Sequence, residues 1–294
     1  MEKDRVEMQP KKAETPAQNS RDAASNSDQD TLNKLQATLA NTADVVQEHR
    51  EAFFTDPDDI ETNHHLRTNI RRLRSLVAFV KPWQRSRQNA ETQGILRDIV
   101  RHTSLLRELD VFEKQVRANP NSSAELIALC AEAASAERAR VLETLASEPV
   151  TELFERAMSL AKNVEWKRRY AACGLQQSAV RERYDSMIES VKADLDVLDL
   201  SDAERTHDVR KRAKRARYVA ELNADILGAD TIEVAKGMTA HQDNLGDICD
   251  ARANIRLIDE LLERDLSESV RQELVLLREQ NEDFLRDTLS HSRE

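Results

Sequence analysis

Glycine and proline are scarce in this chain, five and six in 294 residues, and aromatic side chains make up only 4%. So few turn formers, with no run of alternating β-branched residues, exclude a sheet-rich fold and leave helices to build the core. No G-x-x-x-x-G-K-[ST] or other glycine-rich loop occurs, which removes the usual nucleoside triphosphate site. The three cysteines, Cys130, Cys173 and Cys249, are odd in number, far apart and without C-x-x-C spacing. That pattern makes neither a disulfide framework nor a zinc site, and predicts buried free thiols in a reducing compartment. No apolar run approaches the ~18 residues of a membrane span, and MEKDRVEMQPKK lacks the apolar core of a signal peptide. A cytoplasmic protein with no membrane partner is expected.

Charge is abundant and unevenly placed. The chain is 33% charged with a net charge of -10, which spread evenly would repel a polyanion. Yet the stretch His64 to Arg87, HHLRTNIRRLRSLVAFVKPWQRSR, holds seven Lys/Arg and no acid, and His207 to Arg217, HDVRKRAKRAR, holds six and one acid. The remainder of the chain therefore carries -22. Overlaid, both stretches read H-x-x-R-x-x-x-[RK]-R-x-R, with His64 on His207, Arg67 on Arg210, Arg71 on Lys214, Arg72 on Arg215 and Arg74 on Arg217. Two matches 143 residues apart indicate an internal duplication.

Residues 1 to about 29 are polar and read as a disordered tail. From Leu32 a helical apolar period runs to Phe54, and Asp56-Pro57 predicts the start of the helix that carries the first basic stretch to Pro82. Further helices are expected over about 88–116 and 123–145, from Pro149, and up to about Leu198 after a break at Gly174. Ser201 is the expected cap of the second basic helix and Gly228 its end, with two more helices over about 231–263 and 267–290. The fold class is all-α: two pseudo-symmetric antiparallel bundles, about 30–165 and 166–294, with a basic groove or pore between them.

On a helix His64, Arg67, Arg71 and Arg74 fall within about 80° of one another, beside an apolar stripe of Leu66, Ile70, Leu73 and Val77. His207, Arg210, Lys214 and Arg217 occupy the same arc of the second copy. Such cations repel unless acids or a polyanion offset them. Arginine's planar fork suits phosphate oxygens, and no acid lies within the first stretch to form helical pairs.

These residues resemble the CHAD domain family (conserved histidine α-helical domain), whose motif is an H-x-x-R-x-x-x-R-R-x-R helix in each of two halves. The resemblance spans about residues 32–290. It includes Leu106-Arg107-Glu108-Leu109-Asp110-Val111, similar to an R-D-x-D segment, and Gln242-Asp243-Asn244-Leu245-Gly246-Asp247 with Asp250, similar to Q-x-x-L-G-x-x-x-D. It implies non-catalytic binding of inorganic polyphosphate in a central basic pore, with no cofactor or metal. It also implies a site formed by His64, Arg67, Arg71, Arg74, His207, Arg210, Lys214 and Arg217, with Arg72, Lys211 and Arg215 at the flanks and Arg107 as an additional member. Asp110 and Asp250 are expected to hold basic side chains in position. Glu108 departs from the family's Asp, and Ala216 stands where Leu is frequent.

Two rival readings follow from the residues. His207-Asp208 is the dipeptide of metal-dependent HD phosphohydrolases, with His102 or His241 and Asp250 as further ligands, but the surrounding cations oppose a divalent metal. Nucleic acid or another acidic partner is the other, and the sequence offers little aromatic interleaving for base stacking beyond Trp166 and Tyr170 around Lys167-Arg168-Arg169. A place at polyphosphate granules fits the first reading; oligomeric state is left open.

Overall fold

A computed structural model describes the backbone of residues 16–237 and 239–291 and the side chains of residues 26–237 and 244–290. Among these the secondary structure is helical, apart from one isolated bridge between Gln84 and Trp166. No helix among them is long and apolar enough to cross a membrane.

Helix α1 (Pro16–Thr55) buries Leu32, Leu35, Leu39, Val46 and Phe53 along one face. Residues 16–29, expected as part of a tail, continue this helix, and residues 1–15 lie outside the described residues. Once the packed turns nucleate the helix, each added residue costs little. The Leu175 N–H also donates to the Asp28 carbonyl at 2.8 Å. Gly174, at φ 78°, lies so close that a Cβ there would sit 2.4 Å from the Asp28 backbone, so only glycine fits the crossing.

Helix α2 (Ile60–Val80) begins three residues after Pro57, because Asp59 is the cap and accepts from the Glu61 N–H at 2.9 Å. Leu66, Ile70, Leu73 and Val77 are wholly buried, each contributing roughly 1.5–3 kcal/mol. The single helix expected next is two, α3 (Ser86–His102) and α4 (Ser104–Ala118), broken at the buried Thr103. Helix α5 (Ala124–Ala146) starts where expected, capped by Ser123, which accepts from the Leu126 N–H. Helix α6 (Glu148–Lys162) has Pro149 in its first turn. The chain then crosses back over the end of α2, with Arg85 N–H to Glu165 O and Lys167 N–H to Trp83 O at 2.8 Å each.

The second half holds α7 (Arg168–Cys173), α8 (Gln177–Asp196) and α9 (Ala203–Leu222). Asp202, not Ser201, caps α9, accepting from the Arg205 N–H at 2.9 Å. Buried Asn223 turns its amide back to the Val219 carbonyl and separates α9 from α10 (Ala224–Leu227), which ends at Gly228. Helices α11 (Asp230–Gly237), α12 (Thr239–Leu262) and α13 (Glu268–His291) follow. Of the cysteines only Cys130 is buried. Cys173 is exposed, because the six-residue α7 buries nothing, and Cys249 is intermediate.

The apolar residues form two cores that do not divide at the expected boundary near residue 165. The larger draws on α1, α2, α3 and α6 from the first half and α8 and α9 from the second. The smaller joins α4 and α5 to α12 and α13 through Phe112, Leu126, Ile258 and Leu274. Helices α4 and α5 bridge the two cores, giving Leu106, Val141 and Leu145 to the larger one while also packing on α12 and α13, which sequence-local periodicity does not report. The space between the two cores is bounded by α2 and α9 on one side and α4 and α12 on the other.

Candidate functional site

That space is a cavity of about 480 Å³. From α2 it receives His64, Arg67 and Arg71, from α9 His207, Arg210 and Lys214, from α4 Arg107, and from α12 Arg252 and Arg256. The acids in its lining are Glu108 and Asp250. Glu108 is already bonded to Arg256 at 2.6 Å, so the longer arm that replaces the family's Asp ties α4 to α12. Asp250 stands 3.9 Å from Arg210.

Arg71 and Lys214, the two copies of one motif position, are different. Among the described residues neither has a carboxylate within ion-pairing distance. Arg71 keeps accessible surface, yet it is so enclosed by protein that burial is the first cause lowering its pKa, with repulsion from Arg210 and Arg107 added. These two facts agree when the side chain projects into an internal space. Lys214 is lowered to about 8 by burial and then by Arg210 and Arg71. Burial, then Arg107, lowers His64 to about 4, and burial, then Lys211 and Arg210, lowers His207. Both imidazoles are neutral at pH 7 in the empty cavity.

Arg67 borders the cavity but is committed elsewhere. It is 5% exposed, and its Nη1 donates to the Val100 carbonyl at 2.8 Å and to Thr103 Oγ1 at 2.6 Å. The guanidinium thus holds open the break between α3 and α4, and burial lowers its pKa to about 9. Arg67→Ala is expected to cost about 3 kcal/mol in urea unfolding by orphaning these acceptors and leaving a void.

Several expected members lie outside the cavity lining. Lys211 pairs with Asp208 at 2.6 Å, which also engages the acid of the His207-Asp208 dipeptide. Arg72 and Arg217 stack on Tyr218 and approach Glu221, while Arg74 and Arg215 lie on the other flank of the α2–α9 contact. Asp110 is buried and holds Arg138 of α5 and Asn63, not a cavity cation. Among the described residues no three His, Cys, Asp or Glu side chains converge as a metal site. The side chains of His241, Gln242 and Asp243 lie outside the described residues. Sequence reasoning missed Arg252, whose Nη2 donates to the Leu200 carbonyl at 2.6 Å, and Arg256. Their i,i+4 spacing after Asp250 was the available signal.

The sequence pattern of the CHAD domain matches residues 37–259. The chain belongs to the CHAD domain family. Among solved structures this CHAD chain is similar to the crystal structure of the CHAD domain from the plant Ricinus communis, with a TM-score of 0.68 and 21% identity over 90% of this chain and 93% of that one. It is also similar to PptA from Streptomyces chartreusis, with a TM-score of 0.57 and 14% identity over 87% and 95%. At these identities the likeness is one of fold. No curated protein sequence matches the chain. A larger cleft of about 1080 Å³ lies between α8, α12 and α13, but Asp196, Asp247 and Asp287 against Lys192 make it unsuited to an anion.

Proposed function

We propose that this CHAD chain binds inorganic polyphosphate in the cavity between α2, α9, α4 and α12 and catalyses no reaction on it. The observation that carries the reading is Arg71 beside Lys214: two partly desolvated cations that repel one another with no acid in ion-pairing reach among the described residues. A closely spaced polyanion offsets that repulsion, and a half-open cavity of this size suits a bare phosphate chain better than a duplex.

Titration of long-chain polyphosphate across a salt series, beside single-stranded RNA of equal charge, tests the reading. Engagement of roughly four phosphates gives a slope of log K against log salt near -3, at about -0.7 per phosphate. Binding that RNA matches at every salt concentration would replace the reading with general polyanion binding.

The reading also fixes a pH dependence. Bound phosphates raise the depressed pKa values of His64 and His207, so binding takes up protons and tightens as pH falls below about 7. Above about 8 Lys214 loses its charge in the empty protein, so affinity falls further. Calorimetry from pH 8.5 to 6 is expected to show about tenfold tightening or more, and His64→Gln/His207→Gln to flatten the acidic part of the profile. In the empty protein the sign reverses. The unfolded chain takes the His64 proton first, so stability falls as pH drops from 6.5 toward about 4. Residence at cytoplasmic polyphosphate granules belongs to the same reading: a fluorescent fusion should follow granules, and an Arg71→Glu/Lys214→Glu fusion should not.

A further inference from the structure

The two copies of the basic motif place the same residue types on both flanks of the α2–α9 contact, but their surroundings differ. On one flank Arg72 and Arg217 lie over the Tyr218 ring at 5.6 and 5.2 Å. The Glu221 carboxylate stands 3.8 Å from each. Two cations here share one acid and one aromatic face, and both have a buried Nε without a hydrogen bond. They clamp α9 to α2.

On the other flank the motif register puts Ser75 and Ala78 where Tyr218 and Glu221 stand in the second copy. Ser75 turns its hydroxyl back to the Arg71 carbonyl at 2.7 Å, so this flank has neither ring nor acid at those positions. Arg74 and Arg215 meet here, and Arg215 is the largest charge effect on Arg74 after burial. Arg97 of α3 adds its repulsion to Arg74, and Arg183 of α8 feels Arg215. Arg183 is fixed in place by the Phe79 and Ala78 carbonyls at 2.5 and 3.1 Å, and keeps its charge. Against these four cations stands Asp98, 3.8 Å from Arg97. Arg71, which faces the cavity, also repels Arg74 and so joins this flank to it.

We infer that a polyphosphate chain longer than the cavity leaves it along one flank only, past Arg74 and Arg215 toward Arg97 and Arg183, and that Glu221 closes the opposite flank to it. The inference rests on the polyphosphate reading and adds a direction to it. A phosphate chain follows the flank where Arg74 and Arg215 have no carboxylate in ion-pairing reach among the described residues and avoids the one where Glu221 already stands beside both cations. Arg97 and Arg183 thereby become binding residues that lie outside the motif, and chain length becomes a determinant of affinity.

The test compares two double variants of equal charge change, Arg74→Gln/Arg215→Gln and Arg72→Gln/Arg217→Gln, against tripolyphosphate and long-chain polyphosphate. Loss of the Arg74/Arg215 pair is expected to weaken the long chain about tenfold or more while leaving tripolyphosphate within about threefold. Loss of the Arg72/Arg217 pair leaves both ligands within about threefold. Arg97→Glu, on a side chain 61% exposed, gives the same length-selective loss without touching buried packing. Equal losses from both pairs, or a larger loss from Arg72/Arg217, would overturn the direction and leave polyphosphate binding standing. Wild-type protein that binds neither ligand would instead remove the reading on which the direction rests.

Discussion

Arg71→Glu/Lys214→Glu is expected to lower polyphosphate affinity by three orders of magnitude or more, about 4 kcal/mol, without loss of stability. Most buried-charge variants weaken a protein because they orphan a partner, but here neither side chain has an ion-pair partner to orphan among the described residues. Each glutamate instead arrives among Arg107, Arg210 and Arg252, where it relieves repulsion. The thermal midpoint should hold or rise while binding disappears. That opposition of signs separates a ligand site from an internal salt-bridge network, in which both properties would fall together. A variant that melts early and loses binding in proportion would mean that the two cations serve the fold.

Asp110→Ala carries the opposite signature. Asp110 is 1% exposed, and its carboxylate accepts from Arg138 Nη2 at 2.6 Å and from Asn63 Nδ2 at 3.1 Å. Burial raises its pKa, against the pull of both bonds, so the group is held by geometry inside an apolar region between α2, α4 and α5. Removing it leaves the Arg138 guanidinium buried and uncompensated, at a cost of about 3–5 kcal/mol. Against a typical total of about 5–15 kcal/mol this is roughly a fifth or more of the stability. Urea unfolding reads it directly, and Asp110→Leu/Arg138→Met should recover most of the loss, since an apolar pair needs no partner. Polyphosphate binding measured well below the transition should be unchanged, because Asp110 does not line the cavity.

The contrast between these two positions shows what was legible in the sequence. The repeated motif, its helical arc and its missing acids located His64, Arg71, His207 and Lys214, because a 3.6-residue period projects side chains predictably from one helix. It could not assign Arg67, whose fate depends on a carbonyl 33 residues away at the α3–α4 break. Nor could it distinguish Asp110 from Asp250, which occupy similar motif positions but meet buried Arg138 in one case and cavity-lining Arg210 in the other. The break at Thr103 itself has no glycine or proline to announce it. It is made by a guanidinium arriving from another helix. Likewise the two cores mix the chain halves because α8 and α9 pack into the larger one and α4 and α5 find further apolar partners on α12 and α13. The flanks differ through Tyr218 and Glu221 against Ser75 and Ala78, a comparison that requires knowing that α2 and α9 lie side by side.

Cys249 offers the most direct test that polyphosphate occupies the cavity, since its thiol lines the cavity beside Arg210 and Lys214 while Cys173 lies exposed elsewhere. Labelling with a neutral maleimide, read peptide by peptide with and without long-chain polyphosphate, reports occupancy at one position against an internal control. Polymer bound in the cavity slows Cys249 by about tenfold or more and leaves Cys173 unchanged. Unaltered labelling of Cys249 under conditions where the polymer is demonstrably bound would place the polymer elsewhere on the protein.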